Sequence, residues 1–155
     1  ALDAGIGHGA LQAVLPFIRE HARPWVDAGV NSAAQDPLLL QQLGNVHVRL
    51  RAADALIARA ALAVDAAQRL PTEDSVAAAS VAVAGAKALS TSASLLAGSK
   101  LFELGGSGAT LAAHGLDRFW RNARVHTLHD PVRWKYHAVG NYVLNGVRPP
   151  RHGAI

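Results

Sequence analysis

Apolar residues recur three and four positions apart along most of this chain, which is the period of amphipathic helices and not of strands. The clearest stripe begins after Asp36-Pro37, a capping aspartate followed by proline at the first helical position, and lasts until Leu70-Pro71. Polar residues occupy the positions between the members of the stripe. One long helix is therefore predicted, with a buried face formed by Leu39, Leu43, Val46, Leu50, Ala53, Ile57, Ala60 and Val64.

The same period predicts a second long helix after Thr72 and a shorter helix before Asp36. Thr72 can cap the second helix, since Glu73 and Asp74 follow where the helix dipole favours acids, and the glycines at 105–108 predict its end. In the earlier helix, we expect Pro16 to kink or shorten the element, because proline cannot donate the backbone hydrogen bond of a helix interior. The apolar residues that predict this earlier helix are Ile6, Leu11, Val14, Leu15 and Ile18.

The last third of the chain predicts one more helix, interrupted in the middle. Residues 116–129 have a helical pattern, and Asp130-Pro131 repeats the aspartate-proline start signal. A final stripe formed by Val132, Tyr136, Val139 and Val143 ends at Asn145-Gly146. The prediction is an all-α fold, a single-domain four-helix up-down bundle over residues 1–155, with its last helix broken at Asp130-Pro131.

Composition and charge exclude several classes of protein. The longest charge-free apolar stretches, 75–86 and 88–99, are separated by Lys87, and each is shorter than the roughly 20 residues that cross a bilayer, so no membrane span is expected. The absence of cysteine excludes disulfide scaffolds and thiolate zinc sites. The net charge of +4 is spread along the chain without a dense basic block, which gives no support to nucleic-acid binding.

The start of the chain leads to an expectation about its origin. It reads Ala1-Leu2-Asp3, without methionine and without the pattern of a secretory leader. We therefore expect a piece of a longer cytoplasmic protein.

The densest group of polar side chains lies at 117–130. On a helix, Arg118 and Arg121 share one side, and His126 and His129 share a face with Asn122. Such a row suits a phosphate or an anion formed during a reaction, but a solvated helix face explains it equally well. Each histidine is compatible with proton exchange near neutral pH and with a structural role. No metal site is expected, because helical di-iron sites need Glu-x-x-His pairs and no glutamate follows Glu103.

Two smaller features allow a binding role beside a structural one. Gly105 and Gly106 follow a helix and not a strand, so they do not form a P-loop; they suit a helix cap or the close approach of a ligand to the backbone. Arg23 lies between His21 and Trp25 at the end of the first helix. Its cation there is compatible with dipole compensation and ring stacking, or with an anion clamp.

The order of these motifs resembles a known family. The segments RPW at 23–25, LFELGG at 101–106, DRFWRNAR at 117–124 and HTLHDP at 126–131 are similar to the C-terminal domain of acyl-CoA-dehydrogenase-like flavin monooxygenases, in the sulfur-acquisition and dibenzothiophene monooxygenase branch. The similarity covers essentially the whole chain, and the stretch 117–131 is its most specific part. The resemblance implies the last of three domains in a chain of about 400 residues that forms a homotetramer.

The resemblance also implies a chemistry and residues that perform it. It implies oxygenation of a small organosulfur compound by reduced FMN delivered from a separate reductase, with FAD as the alternative cofactor. His129 would be the catalytic residue, an acid/base or a hydrogen-bonding group near the flavin ring, with His126 and Asp130 lining the same turn. The other residues that the resemblance offers as flavin contacts are Arg23, Arg118, Arg121, Gly105 and Gly106. The domain alone is expected to be inactive.

Two alternatives accompany this hypothesis. True acyl-CoA dehydrogenases, which use FAD, resemble the chain more distantly and commonly place a catalytic glutamate in this domain. After Glu103 the chain has only Asp117 and Asp130 as acids, so dehydrogenation ranks second. A non-catalytic module that drives oligomerisation is the third hypothesis.

Overall fold

A computed structural model describes residues 1–152, which contain five α-helices. No strand occurs among these described residues. Four 3₁₀ turns lie in the connections before α2 and before α4. The helices are α1 Leu2–Glu20, α2 Pro37–Arg69, α3 Glu73–Gly105, α4 Asp117–His129 and α5 Val132–Asn145.

The two longest helices begin at side-chain caps. Asp36 Oδ1 accepts hydrogen bonds from the backbone N–H groups of Leu38 and Leu39, at 2.9 and 3.2 Å, at the start of α2. At the start of α3, Thr72 Oγ1 accepts from Ser75 N at 3.0 Å and Ser75 Oγ accepts from Thr72 N at 2.9 Å, a reciprocal capping box. Both predicted caps are confirmed, and each helix extends over 33 residues, or about 50 Å.

The contacts between helices define an up-down bundle. Asp3 contacts Thr91 and Val14 lies near Gly105, so α1 runs parallel to α3. Lys100, near the end of α3, bonds to Gln42, near the start of α2, so α2 and α3 are antiparallel. Helices α4 and α5 then run back along α3, one after the other, from Gly98 to the start of α3. Together they form the fourth helix, and the predicted four-helix bundle with a broken last helix is confirmed.

The expectation that Pro16 shortens the first helix is wrong. Helix α1 continues without interruption from Leu2 to Glu20 with Pro16 inside it. Pro16 is solvent-exposed, whereas Phe17 and Ile18, which follow it, are buried in the core. Burial of the apolar face thus stabilises the helix by more than the missing backbone hydrogen bond destabilises it. Packing therefore overrides the local helix propensity here.

The structure also differs from the prediction at Asp130-Pro131, which was expected to supply a capping aspartate and a proline at the first helical position. Helix α5 begins at Val132, Pro131 is its N-cap residue, and no side chain caps the helix. Asp130 has an extended backbone, with φ −137° and ψ 111°, and its carboxylate pairs with Lys135 instead. The break falls where it was predicted, but Asp130 stabilises it through an ion pair with Lys135 of the next helix.

Helix α3 is the central element, and small residues let its neighbours approach closely. A Cβ placed on Gly98 would lie 3.0 Å from the Cα of Trp120 in α4, so glycine is required for this contact. By length and composition α3 could cross a membrane, although the interruption at Lys87 argued against a span. Its contacts with α1, α2, α4 and α5 account for its apolar character within the bundle.

Candidate functional site

The predicted site residues lie in separate parts of the bundle. Arg23, Gly105 and Gly106 line one cleft at the end of the bundle where α1 and α3 terminate. His126 lines a different cavity beside α1, α2 and α3. The remaining predicted residues are exposed or partly exposed positions on α4 and at its end, namely Arg118, Arg121, His129 and Asp130.

The cleft at the end of the bundle has a volume of about 970 Å³. Its walls come from the connection after α1, the first turn of α2 and the end of α3, where Gly106 adopts φ +73° and terminates the helix. Arg23 is solvent-exposed and has no hydrogen-bond or ion-pair partner among residues 1–152. The cleft therefore offers an available guanidinium group beside exposed glycine backbone, which can bind an anionic group.

The acids around this cleft are already engaged by neighbouring groups. Asp36 caps α2, and Glu103 accepts a hydrogen bond from Lys100 Nζ at 2.5 Å. Asp27 accepts from the indole Nε1 of Trp25 at 2.9 Å. These interactions leave the Arg23 guanidinium as the cation in the cleft that is open to a ligand.

Arg118 and Arg121 are held by residues close to them in the chain. The Arg118 guanidinium donates to the carbonyl of Gly115 at 2.7 Å and lies over the Phe119 ring, 4.5 Å from its centre. Arg121 forms an ion pair with Asp117, one helical turn earlier, at 2.6 Å. Both side chains stabilise the start of α4, and neither lines the cleft that contains Arg23.

His126 belongs to a buried network that connects three helices. Its Nδ1 lies 2.6 Å from Oδ1 of Asp3 in α1, a carboxylate that is only 2% exposed. The other oxygen of Asp3 accepts hydrogen bonds from Thr91 Oγ1 at 2.9 Å and from Lys87 Nζ at 3.2 Å, both from α3. Burial raises the pKa of Asp3, but the hydrogen bonds from Thr91, Lys87 and His126 and the charge of Lys87 outweigh it, so the pKa falls below its ordinary value.

Asp3 and Lys87 are site residues that sequence reasoning missed. Asp3 resembles an ordinary acid in the first turn of a helix, and nothing near it in the chain indicates a partner more than eighty residues away. Lys87 did carry a signal, because a single cation within an alanine-rich, apolar helix must find a counter-charge when that helix is buried.

His129 lies at the end of α4, between two residues, His126 and Asp130, that are each held by a partner side chain. Its side chain is exposed and has no polar partner among the described residues. One turn earlier His126 is bound to Asp3, and the next residue, Asp130, pairs with Lys135, whose side chain is 3% exposed. The turn is therefore anchored on both sides while the His129 imidazole is free to meet another surface.

The two groups of candidate residues are too far apart to act together within one chain. Thr91, which is linked to His126 through Asp3, precedes Gly105 by 14 residues on α3, a separation of about 21 Å. Since α4 runs antiparallel to α3, His129 lies farther still from the Arg23 cleft. Within one chain the two groups are therefore separated by about 20 Å or more along the bundle.

No metal site is present in the described part of the chain. Among residues 1–152, no cluster of three or more histidine, aspartate or glutamate side chains could hold a metal ion. The described side chains offer hydrogen-bonding and charged groups, which suit recognition of an organic anion and proton transfer.

These observations define an all-α bundle domain with a cleft lined by Arg23, Gly105 and Gly106 at one end and an exposed histidine at the break of its last helix. Residues 1–134 match the family described as "Acyl-CoA dehydrogenase, C-terminal domain". The chain belongs to this family, as its motifs predicted.

Relatives and solved structures within the family share most of this chain. Dibenzothiophene monooxygenase of Mycolicibacterium goodii is 43% identical over 144 residues, which are 91% of this chain and 35% of that protein. The probable FMNH2-dependent monooxygenase SfnC of Pseudomonas putida is 36% identical over 151 residues, 96% of this chain and 38% of that protein. TdsC from Paenibacillus sp. A11-2, solved in complex with FMN and indole, superimposes with a TM-score of 0.93 at 37% identity, covering 99% of this chain and 40% of TdsC. The chain thus spans well under half of the length of these proteins.

Proposed function

We propose that this chain is the C-terminal bundle of a longer flavin-dependent monooxygenase that uses reduced FMN to oxygenate a small organosulfur compound. The observation that carries the proposal is the similarity over nearly the whole chain to dibenzothiophene monooxygenase and to FMN-bound TdsC. SfnC, described as FMNH2-dependent, supports reduced FMN over FAD. We further propose that the complete protein is a three-domain chain of the bacterial cytoplasm, supplied with reduced flavin by a separate reductase.

The residues of the bundle fit a flavin in two ways. The Arg23 guanidinium, with the backbone at Gly105 and Gly106, would bind an anionic group such as the FMN phosphate. The exposed imidazole of His129 would face the flavin ring and hold or move a proton at one of its ring nitrogens. The bound flavin would supply the electrons that activate oxygen.

The separation between the two groups supports an oligomer. Arg23 and His129 of the same chain are too far apart for both to contact one FMN in this proposal. We propose that the chain forms a homotetramer, in which the Arg23 surface and the His129 surface of neighbouring copies contact different sides of one flavin site or different flavins. Large apolar side chains exposed on α4 and α5 are consistent with burial between copies; they include Val125, Leu128, Tyr136, Val143 and Leu144.

Dehydrogenation receives no support from the acids that follow Glu103. Asp117 is paired with Arg121 and Asp130 with Lys135, so each carboxylate already has a cationic partner. A carboxylate that removes a proton from a substrate must be available to that substrate. A role in assembly, in contrast, is compatible with the proposed monooxygenase.

The test uses the longer enzyme that contains this chain, supplied with reduced FMN, oxygen and dibenzothiophene. His129→Gln should lower formation of the oxygenated product by about a hundredfold and divert reduced flavin to hydrogen peroxide, because the proton-transferring group is lost. His47→Gln, at an exposed histidine of α2, is the matched control and should leave both measurements unchanged. Unaltered product formation in His129→Gln would overturn the role of His129, and oxygenation by residues 1–155 alone would overturn the proposed domain role.

A further inference from the structure

The Asp3 carboxylate is buried in the first turn of α1 and is surrounded by hydrogen-bond donors from other helices. Three donors surround it, from two other helices: Thr91 and Lys87 at Oδ2, and His126 at Oδ1. The 2.6 Å distance to His126 Nδ1 is short, as in charge-assisted hydrogen bonds. This network lies at the point where α1, α3 and α4 meet.

The arrangement determines which nitrogen of His126 carries the proton. A carboxylate can only accept hydrogen bonds, so Nδ1 must be the donor and, in the neutral ring, Nε2 keeps its lone pair. The ring lines a cavity of about 430 Å³, whose other charged or titratable groups are Lys87 of α3, Asp65 of α2, Asp3 itself and the α-amino group of Ala1. The charge of Lys87 compensates that of Asp3, with Nζ 3.2 Å from Oδ2.

The hydrogen bond between His126 and Asp3 also holds the helical turn that carries His129. His126 lies three residues before His129, and Thr127 Oγ1 bonds to the carbonyl of Arg124 at 3.0 Å, so this last turn of α4 is held both to α1 and to itself. Beyond His129, Asp130 is held by Lys135. The bond to Asp3 therefore attaches the final turn of α4 to α1.

We propose that Asp3 is a positioning residue that fixes His126 as the Nδ1–H tautomer and, through this bond, holds His129 in its working position. The first part depends only on the geometry of the network. The second part rests on the proposed function, because it assigns His129 a role in oxygenation.

The tautomer is measured on the 155-residue chain by NMR, through two-bond correlations between the ring protons and nitrogens of His126 at a pH where the ring is neutral. Wild type should show the Nδ1–H form. Asp3→Asn should switch His126 to the Nε2–H form: the single amide oxygen of asparagine must face the Lys87 ammonium, which can only donate, so the NH₂ group faces Nδ1. Thr91→Val removes a partner of the other Asp3 oxygen and should leave the tautomer unchanged.

The wild-type spectrum by itself decides the first part, even if a variant fails to fold. An Nε2–H ring in wild type, or an unchanged tautomer in folded Asp3→Asn, would overturn it.

The second part is tested by turnover of the longer enzyme. Asp3→Asn should lower kcat/KM for oxygenation by about tenfold and raise the fraction of reduced flavin lost to peroxide, since a small displacement of a reacting group costs this much or more. The matched control is Asp54→Asn, which weakens another aspartate–histidine contact of α1, that of Asp54 with His8 Nε2 at 3.0 Å, and should leave both values unchanged.

Equal turnover in Asp3→Asn and Asp54→Asn would overturn the positioning role. If the longer enzyme oxygenates no organosulfur compound at all, the proposed function fails, whereas the tautomer of His126 still decides the role of Asp3 within the bundle.

Discussion

Asp130 and Lys135 form an ion pair across the break between α4 and α5, with Oδ2 2.9 Å from Nζ. The Lys135 side chain is almost fully buried, so removal of Asp130 leaves a cation inside the fold without this counter-charge. We expect Asp130→Ala to lower the free energy of unfolding by about 3 kcal/mol. Denaturant unfolding followed by circular dichroism measures the change.

The control for this prediction is Asp117→Ala at the other end of α4. Asp117 also pairs with a cation, Arg121, but both side chains are more than half exposed, so the loss should be below about 1 kcal/mol. Equal losses in the two variants would show that burial of Lys135 does not determine the strength of the pair.

The stability of the bundle should depend on pH through Asp3. Because the pKa of Asp3 is lowered in the folded state, the unfolded chain binds its proton first as the pH falls. The contribution of Asp3 is therefore complete above the ordinary carboxyl pKa of about 4 and is lost as the pH falls through the lowered value.

Urea unfolding of the wild type at several pH values between about 6 and 3 measures this dependence. Asp3→Asn should flatten the acid limb of the profile, whereas Asp54→Asn, at a half-exposed pair with His8, should retain most of it. An identical acid limb in wild type and Asp3→Asn would contradict the lowered pKa.

The contact of Gly98 with Trp120 predicts opposite effects of one substitution at two glycines of α3. Gly98→Ala should destabilise the bundle by about 1–3 kcal/mol, because the added methyl group meets the backbone of α4 at 3.0 Å. Gly85→Ala should stabilise it by about 0.5–1 kcal/mol, since a Cβ there meets nothing within 4 Å and alanine favours the helix. Thermal unfolding of both variants gives the comparison, and a gain in stability for Gly98→Ala would refute the close approach.

The uninterrupted course of α1 predicts that Pro16 reduces the stability of the protein. Pro16→Ala restores a backbone donor at an exposed interior position of the helix and should raise the free energy of unfolding by about 1–3 kcal/mol. Pro37→Ala, at the first position of α2, should change it by less than about 0.5 kcal/mol, because no helical hydrogen bond is lost there. If Pro16→Ala destabilised the chain, the helix would require proline at this position for packing.

The helices and most of their ends were predictable because their signals are local. The stripe from Leu39 to Val64 and the Asp36 cap act within a few residues of one another, and α2 begins at the residue that they indicate. The prediction failed at Pro16, where a local preference is outweighed by the burial of Phe17 and Ile18 against other helices.

The sequence by itself determined the fold class, the break after His129 and the residue types available for chemistry. Only the tertiary structure decided which of these residues share a site. Arg23 lines one cleft with Gly105 and Gly106. His126 contacts Asp3, which is 123 residues away in the sequence, at a place about 21 Å from that cleft along the bundle. The physical reason is that the register in which helices pack determines such partners. That register depends on the fit of entire helix faces, which no short segment of the sequence specifies.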